Sequence, residues 1–120
     1  MMTGEQITID WLKKQLPSIP VQASWPPADI KECVLVEQTG GDISRTTNAT
    51  RLTIDVYSSS RQAAAILANE RVAPLLSSLW KHPDVATATV SNIVHIIDPG
   101  PPLRQGYTMQ LQIITQGTAN

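Results

Sequence analysis

The sequence predicts an α+β fold. The expected form is a two-layer sandwich, a mostly antiparallel four-stranded sheet with two helices on one face, in the order α-β-β-α-β-β. Three observations predict it. Residues 51–57, RLTIDVY, alternate strictly, so Leu52, Ile54 and Val56 face one way while Thr53, Asp55 and Tyr57 face the other. Residues 61–80 carry Ala64, Leu67, Ala68, Val72, Leu75, Leu76 and Leu79 at spacings of three and four, the stripe of an amphipathic helix. Two later β-rich runs, 85–97 and 107–115, flank a Pro- and Gly-rich stretch and complete a second strand pair.

The remaining elements follow in order. Thr3 and Gln6 have capping-box spacing, which starts a first helix near Gly4 that runs to about Leu16. A shorter helix from Thr8, with residues 1–7 frayed, is the alternative. Ile9, Leu12 and Leu16 share a face; Ile7 and Trp11 point elsewhere. Pro17 and Pro20 end the helix, because proline lacks a donor and restricts its predecessor. Pro26 and Pro27 demand extended or turn backbone, with Trp25 covering the core's edge. Cys33–Gln38, CVLVEQ, reads as a strand ended by Gly40 and Gly41, with Cys33 half buried. A polar loop of ten residues, 40–49, follows. Ser58, Ser59 and Ser60 supply a turn and a helix N-cap. Pro74 lies inside the second helix and should kink it. The period of 85–97 shifts near Ser91 and Asn92, which predicts a bulge. Residues 98–106, DPGPPLRQG, read as loop. In the last strand Tyr107, Met109, Leu111 and Ile113 share a face, leaving Gln110 and Gln112 beside Thr53 and Asp55 on an open polar one. Residues 116–120 read as a frayed tail, and 1–120 as one domain.

Composition narrows the function. Apolar residues make up 42% of the 120, enough for a core, and charged residues only 16%, below the usual quarter or so. The surface is therefore rich in Ser, Thr, Gln and Asn. A net charge of −1 argues against a strongly basic nucleic-acid binder or a polybasic membrane anchor. No apolar run is long enough to span a membrane, and the N-terminal residues lack the pattern of a secretory signal. The single Cys33 fits a reducing compartment.

Catalytic and metal-binding patterns are weak. His82 and His95 have no second His or Cys at ligand spacing, so no metal is expected. Cys33 lacks a nucleophile's usual companions. Ser58–Ser60 lacks the nucleophile elbow and reads as turn and cap. Gly40-Gly41-Asp42 lacks the spacing of a phosphate loop and reads as a turn. Asn48-Ala49-Thr50 is a sequon without a secretory context. Neither a catalytic group nor a cofactor is assigned. Asp55 sits mid-strand opposite the core residues, either solvated, paired with Arg51 or a cross-strand residue, or at a subunit interface. Arg45 and Arg104 occupy the two long loops, where arginine's forked donors suit protein contacts.

The stretch 34–76 has a strand ending in Gly-Gly, a polar loop, an L-T-I-D-V-Y strand, and a Ser-Ser-Ser-Arg turn into an Ala-rich helix. The segment DPGPPLRQGYTMQLQI adds a Pro-containing loop, an Arg, and a Tyr leading the final strand. This layout, over roughly residues 8–115, resembles the lambda-type tail terminator proteins of long-tailed bacteriophages, particularly phages of actinobacteria. Pro74 departs from the family's pattern.

The resemblance implies a structural virion protein, not an enzyme. Made in the host cytoplasm, such subunits form a hexameric ring on the head-proximal end of the tail tube. The ring stops tube polymerisation and presents the surface that joins the head. The implied partners are further copies of the chain, the tail tube protein and a head–tail connector or neck protein. Genomic DNA would pass through the lumen without specific binding. Gly40, Gly41, Asp42 and Arg45 are the expected contact loop, and Arg51, Asp55 and Arg104 the expected subunit interface. The alternatives are another neck or tail completion protein, or a small cytosolic α+β enzyme or ligand-binding domain whose site would need His95, Asp55 and Tyr57 to meet. A nucleic-acid-binding module is disfavoured by charge.

Overall fold

A computed structural model describes residues 4–23, 32–43, 47–98 and 104–116. The chain is α+β: two helices pack on a five-stranded, mostly antiparallel sheet in the order α-β-β-β-α-β-β. The strands are β1 (Val21–Gln22), β2 (Cys33–Ile43), β3 (Thr47–Ser58), β4 (Val85–Asp98) and β5 (Arg104–Gln116). Their spatial order is β1-β2-β3-β5-β4. The sheet thus has five strands where four were expected. The addition is β1, which pairs parallel with β2 through Val21–Val34 and Gln22–Leu35. A two-residue strand leaves no alternation to read, so its pairing is decided by where the first helix delivers the chain.

Helix α1 (Gly4–Gln15) has the earlier of the two expected starts, and Thr3 lies outside the described residues. Glu5 in its first turn and Lys13 and Lys14 in its last oppose the helix dipole favourably. The Thr8 hydroxyl donates to the Gly4 carbonyl at 2.8 Å, which satisfies a buried polar side chain within the helix. Ile7 joins Ile9, Leu12 and Leu16 in the core, contrary to the single face expected. Trp11 is half-buried because its indole N–H donates to the Leu75 carbonyl at 2.9 Å, tying α1 to the second helical layer. Trp25 and the prolines beside it lie outside the described residues.

The second helical rod is composite. It consists of α2 (Arg61–Ile66), a π-helical turn (Leu67–Val72), α3 (Ala73–Ser77) and a 3-10 turn (Ser78–Lys81). Ser60 is the N-cap, its hydroxyl accepting from the Ala63 N–H at 3.1 Å. Pro74 is accommodated rather than left as a break. The Ala73 N–H donates to Ala68, five residues back, and Pro74 then falls in the first turn of α3, where a missing donor removes no bond of that helix. Ala64, Leu67, Ala68, Val72, Leu76 and Leu79 are buried as the stripe predicts, while Leu75 is only partly covered.

The rod and α1 meet Val34 and Val36 of β2, Leu52, Ile54 and Val56 of β3, and Met109, Leu111 and Ile113 of β5 in one core. Burying such side chains contributes roughly 1.5–3 kcal/mol each relative to exposure.

Two expected loops are strand wherever they are described. Gly40, Gly41 and Asp42 continue β2 and pair with Arg51, Thr50 and Ala49. A bulge at Thr39 lets the strand continue through the shift between Gln38 and Gly40. Likewise β4 runs to Asp98 and β5 begins at Arg104, which pair with each other. Both pairs of strands are therefore long hairpins whose ladders satisfy backbone groups that a loop would leave to water.

The bulge expected near Ser91 and Asn92 is present. Ser91 pairs with Gln110 and Val94 with Thr108, leaving one extra residue in β4, and Asn92 takes φ 54°. Asparagine tolerates this left-handed conformation better than most residues.

Candidate interface surfaces

The sheet places the hairpin tips at opposite ends. Asn48 pairs with Thr115, and Thr115 with Val85, so the β2–β3 tip lies beside the start of β4. Ser58 pairs with Gln105, so the β4–β5 tip lies beside the end of β3. The molecule measures 47 × 24 × 24 Å.

The predicted contact residues divide between these ends. Gly40 and Gly41 lie in the β2–β3 arm. A Cβ at Gly40 would stand 3.0 Å from the Arg51 Nε, so the guanidinium group lies over that glycine; at Gly41 it would stand 2.8 Å from the Ala49 carbonyl oxygen. Asp42 is placed by its backbone pairing with Ala49, and Arg45 lies outside the described residues. Arg51 is exposed beside Gln112. Asp55 is half-buried, four residues along β3, or roughly 13 Å at about 3.3 Å per residue. Arg104 stands at the other tip, four residues before Thr108, the partner of Asp55. Gly40 and Arg51 are thus brought together, whereas Arg51, Asp55 and Arg104 are strung along the sheet.

The face away from the helices is polar in the middle and on toward Arg51 and Gln112. There the Thr53 hydroxyl lies 3.4 Å from Gln110 Oε1 and 3.3 Å from the Thr39 hydroxyl. Toward the β4–β5 tip it carries a second apolar cluster: Cys33, Leu35 and Tyr57, with Ile96 against them. Cys33 is fully buried, not half-buried as expected.

Two depressions are bordered by charged side chains. One of about 250 Å³ is bordered by Glu5, Glu37 and Asp55, together with Leu35, Val36 and Thr53. There Glu5 accepts the Gln38 backbone N–H at 3.1 Å, occupying a donor on the outer edge of β2. Another of about 290 Å³ lies between α1 and the turn after the rod, bordered by Trp11, Lys13, Lys14 and His82 with Asp10. The Trp11 and His82 rings meet edge-on, with centroids 6.2 Å apart. His82 Nδ1 accepts the Asp84 N–H at 3.1 Å and so closes the turn. Among the described residues no group of His, Cys, Asp and Glu suits a metal ion.

His95 pairs with Tyr107 on the helix side, rings 5.4 Å apart, and its Nε2 lies 3.0 Å from Gln105 Oε1. Asp55 and Tyr57 belong to the opposite face. The three side chains therefore do not converge on one pocket.

Sequence reasoning missed the outer edge of β4. This strand of 14 residues has β5 as its sole strand neighbour among the described residues. From Val85 to Ile97 it contains no Lys, Arg, Asp, Glu or Pro, the residues that guard solvent-facing edges. Val94 and Ile97 are 54% and 55% exposed. The available signal was that long uncharged run; the strand order was needed to place it at an edge. No protein-family model matches the chain, and no curated protein matches it in sequence.

Proposed function

We propose that this protein is a tail terminator: a virion subunit that assembles as a ring on the head-proximal end of a phage tail tube, stops its growth and offers the surface that joins the head. The observation that carries the reading is the placement of the two hairpin tips at opposite ends of a 47 Å subunit. A ring between tube and neck needs two axial contact surfaces as well as lateral contacts between copies, and the two tips are the candidates for the axial pair. Gly40, Gly41 and Asp42 belong to one arm and Arg104 to the other. The low charge and the polar open face suit wet contacts made by many modest hydrogen bonds. A chain of net charge −1 gives passing DNA few phosphate contacts. Its partners in this reading are further copies, tube protein and a neck protein.

The test is assembly. Light scattering after size exclusion should find a species near six times 13.1 kDa, about 79 kDa, or that ring should form on added tube protein. Deleting residues 42–47 should leave a folded subunit that no longer caps tubes. Normal capping by that deletion removes the arm from the contact. Binding to neck protein with none to tube protein would make the chain a tail completion protein instead.

A further inference from the structure

We propose that copies of this chain join side by side through the two edges of the sheet, the outer edge of β4 in one copy lying antiparallel against the β1–β2 edge of the next. This rests on the ring reading above for its occupant, a second copy, and names the surface that such a ring would use.

The argument starts from the strand order. In β1-β2-β3-β5-β4 the two edges lie on opposite sides of one sheet. One is β4, uncharged from Val85 to Ile97 and bearing exposed Val94 and Ile97. Its outward backbone groups have no strand partner among the described residues, and such a row is a template for another strand. The other edge is stepped. β1 covers β2 only at Val34 and Leu35, and β2 runs on to Ile43 beyond it. Glu5 occupies one backbone donor of that stretch, at Gln38.

Direction favours the match. β1 is parallel to β2, β2 antiparallel to β3, β3 to β5, and β5 to β4. β4 therefore runs opposite to β1 and β2. In a closed ring all copies point the same way along the axis, so β4 of one meets β1 and β2 of the next antiparallel without inverting any copy. The registers set the heights. Val94 pairs with Thr108, Thr108 with Asp55, Asp55 with Leu35, and Leu35 with Gln22. Val94 of one copy thus stands level with Gln22 of its neighbour when the two are not displaced along the axis. The irregularities at Ala86 and Asn92 leave a Thr87–Ser91 segment level with β2 and a Val94–His95 pair level with β1. A side of 47 × 24 Å projects at most about 1,100 Å², so a standard interface of roughly 800 Å² per partner would take most of it. One edge meeting a different edge is a head-to-tail contact, the type that closes into rings.

The experiment is disulfide trapping in the full chain. A Val94→Cys, Gln22→Cys double variant under mild oxidant should give a ladder of linked species up to the ring. Each single variant should give no ladder. A linked dimer from Val94→Cys alone would overturn the proposal, because it would mean that β4 pairs with its own copy. Val94→Lys, on an exposed side chain, should retain the native circular dichroism and shift the assembly equilibrium toward monomer by about tenfold or more. A ring of unchanged mass in Val94→Lys, with no ladder from the double variant, overturns this interface and leaves the terminator reading standing. A wild-type chain that neither assembles nor binds tube protein overturns both.

Discussion

The ring of Tyr57 lies directly over Gly106, its cross-strand partner. A Cβ on Gly106 would come within 2.6 Å of the Tyr57 Cδ1 and 2.7 Å of the Val56 carbonyl oxygen. The absence of a side chain on β5 is what lets Tyr57 lie flat and join Cys33 and Leu35 in the second apolar cluster. Gly106→Ala should therefore lower stability by about 1–3 kcal/mol, read from the urea midpoint, since one clashing atom is backbone and has nowhere to go. Gly40→Ala is the control. Its Cβ would meet the Arg51 side chain, which can swing away, so the change should stay within about 0.5 kcal/mol.

Asn92 holds the bulge of β4 in a left-handed conformation, φ 54°. Asn92→Gly should be tolerated within about 0.5 kcal/mol. Asn92→Val should cost about 1–2 kcal/mol, because a β-branched side chain collides with its own backbone there. Equal unfolding midpoints for the two variants would mean that the bulge carries no such strain.

Ser60 supplies the cap of the second rod through the Ala63 N–H. Ser60→Ala should cost about 1 kcal/mol, and Ser60→Asp should restore most of it, because a carboxylate both accepts that bond and faces the positive end of the helix dipole. Thermal unfolding of the pair checks this.

Trp11 links the helical layers through the Leu75 carbonyl, which also accepts the Ser78 hydroxyl at 2.7 Å. Trp11→Phe keeps most of the buried ring and removes one donor. The carbonyl retains Ser78, so the loss should sit near the low end of a hydrogen bond's worth, about 0.5–1 kcal/mol in urea. The Leu75 carbonyl also accepts the Ser78 backbone N–H, which Ser78→Ala keeps, so the double variant should lose no more than the two single changes summed, within about 0.5 kcal/mol.

Much of this chain was legible before any coordinates. The alternation of 51–57, the stripe of 61–80, the Ser60 cap and the bulge near Asn92 are local patterns, and local sterics and periodicity dictate them. Such patterns cannot see a neighbour. The arm containing Gly40, Gly41 and Asp42 reads as loop because glycine and polar residues suit turns, yet its ladder with 49–51 makes it strand. β1 exists only because β2 lies beside it. The burial of Cys33 arises from a cross-strand cluster with Tyr57, not from its own segment.

The expected contact residues divide in the same way. Residue type and position suggested Gly40, Arg51, Asp55 and Arg104; only strand order set Gly40 under Arg51 and carried Arg104 to the other end. The sequence by itself determined the helices, the clearest strand and its two faces, because these depend on contacts a few residues apart. Tertiary structure decided the fifth strand, the two long arms and the exposed edge of β4, because pairing between distant segments is what satisfies their backbones or leaves them open.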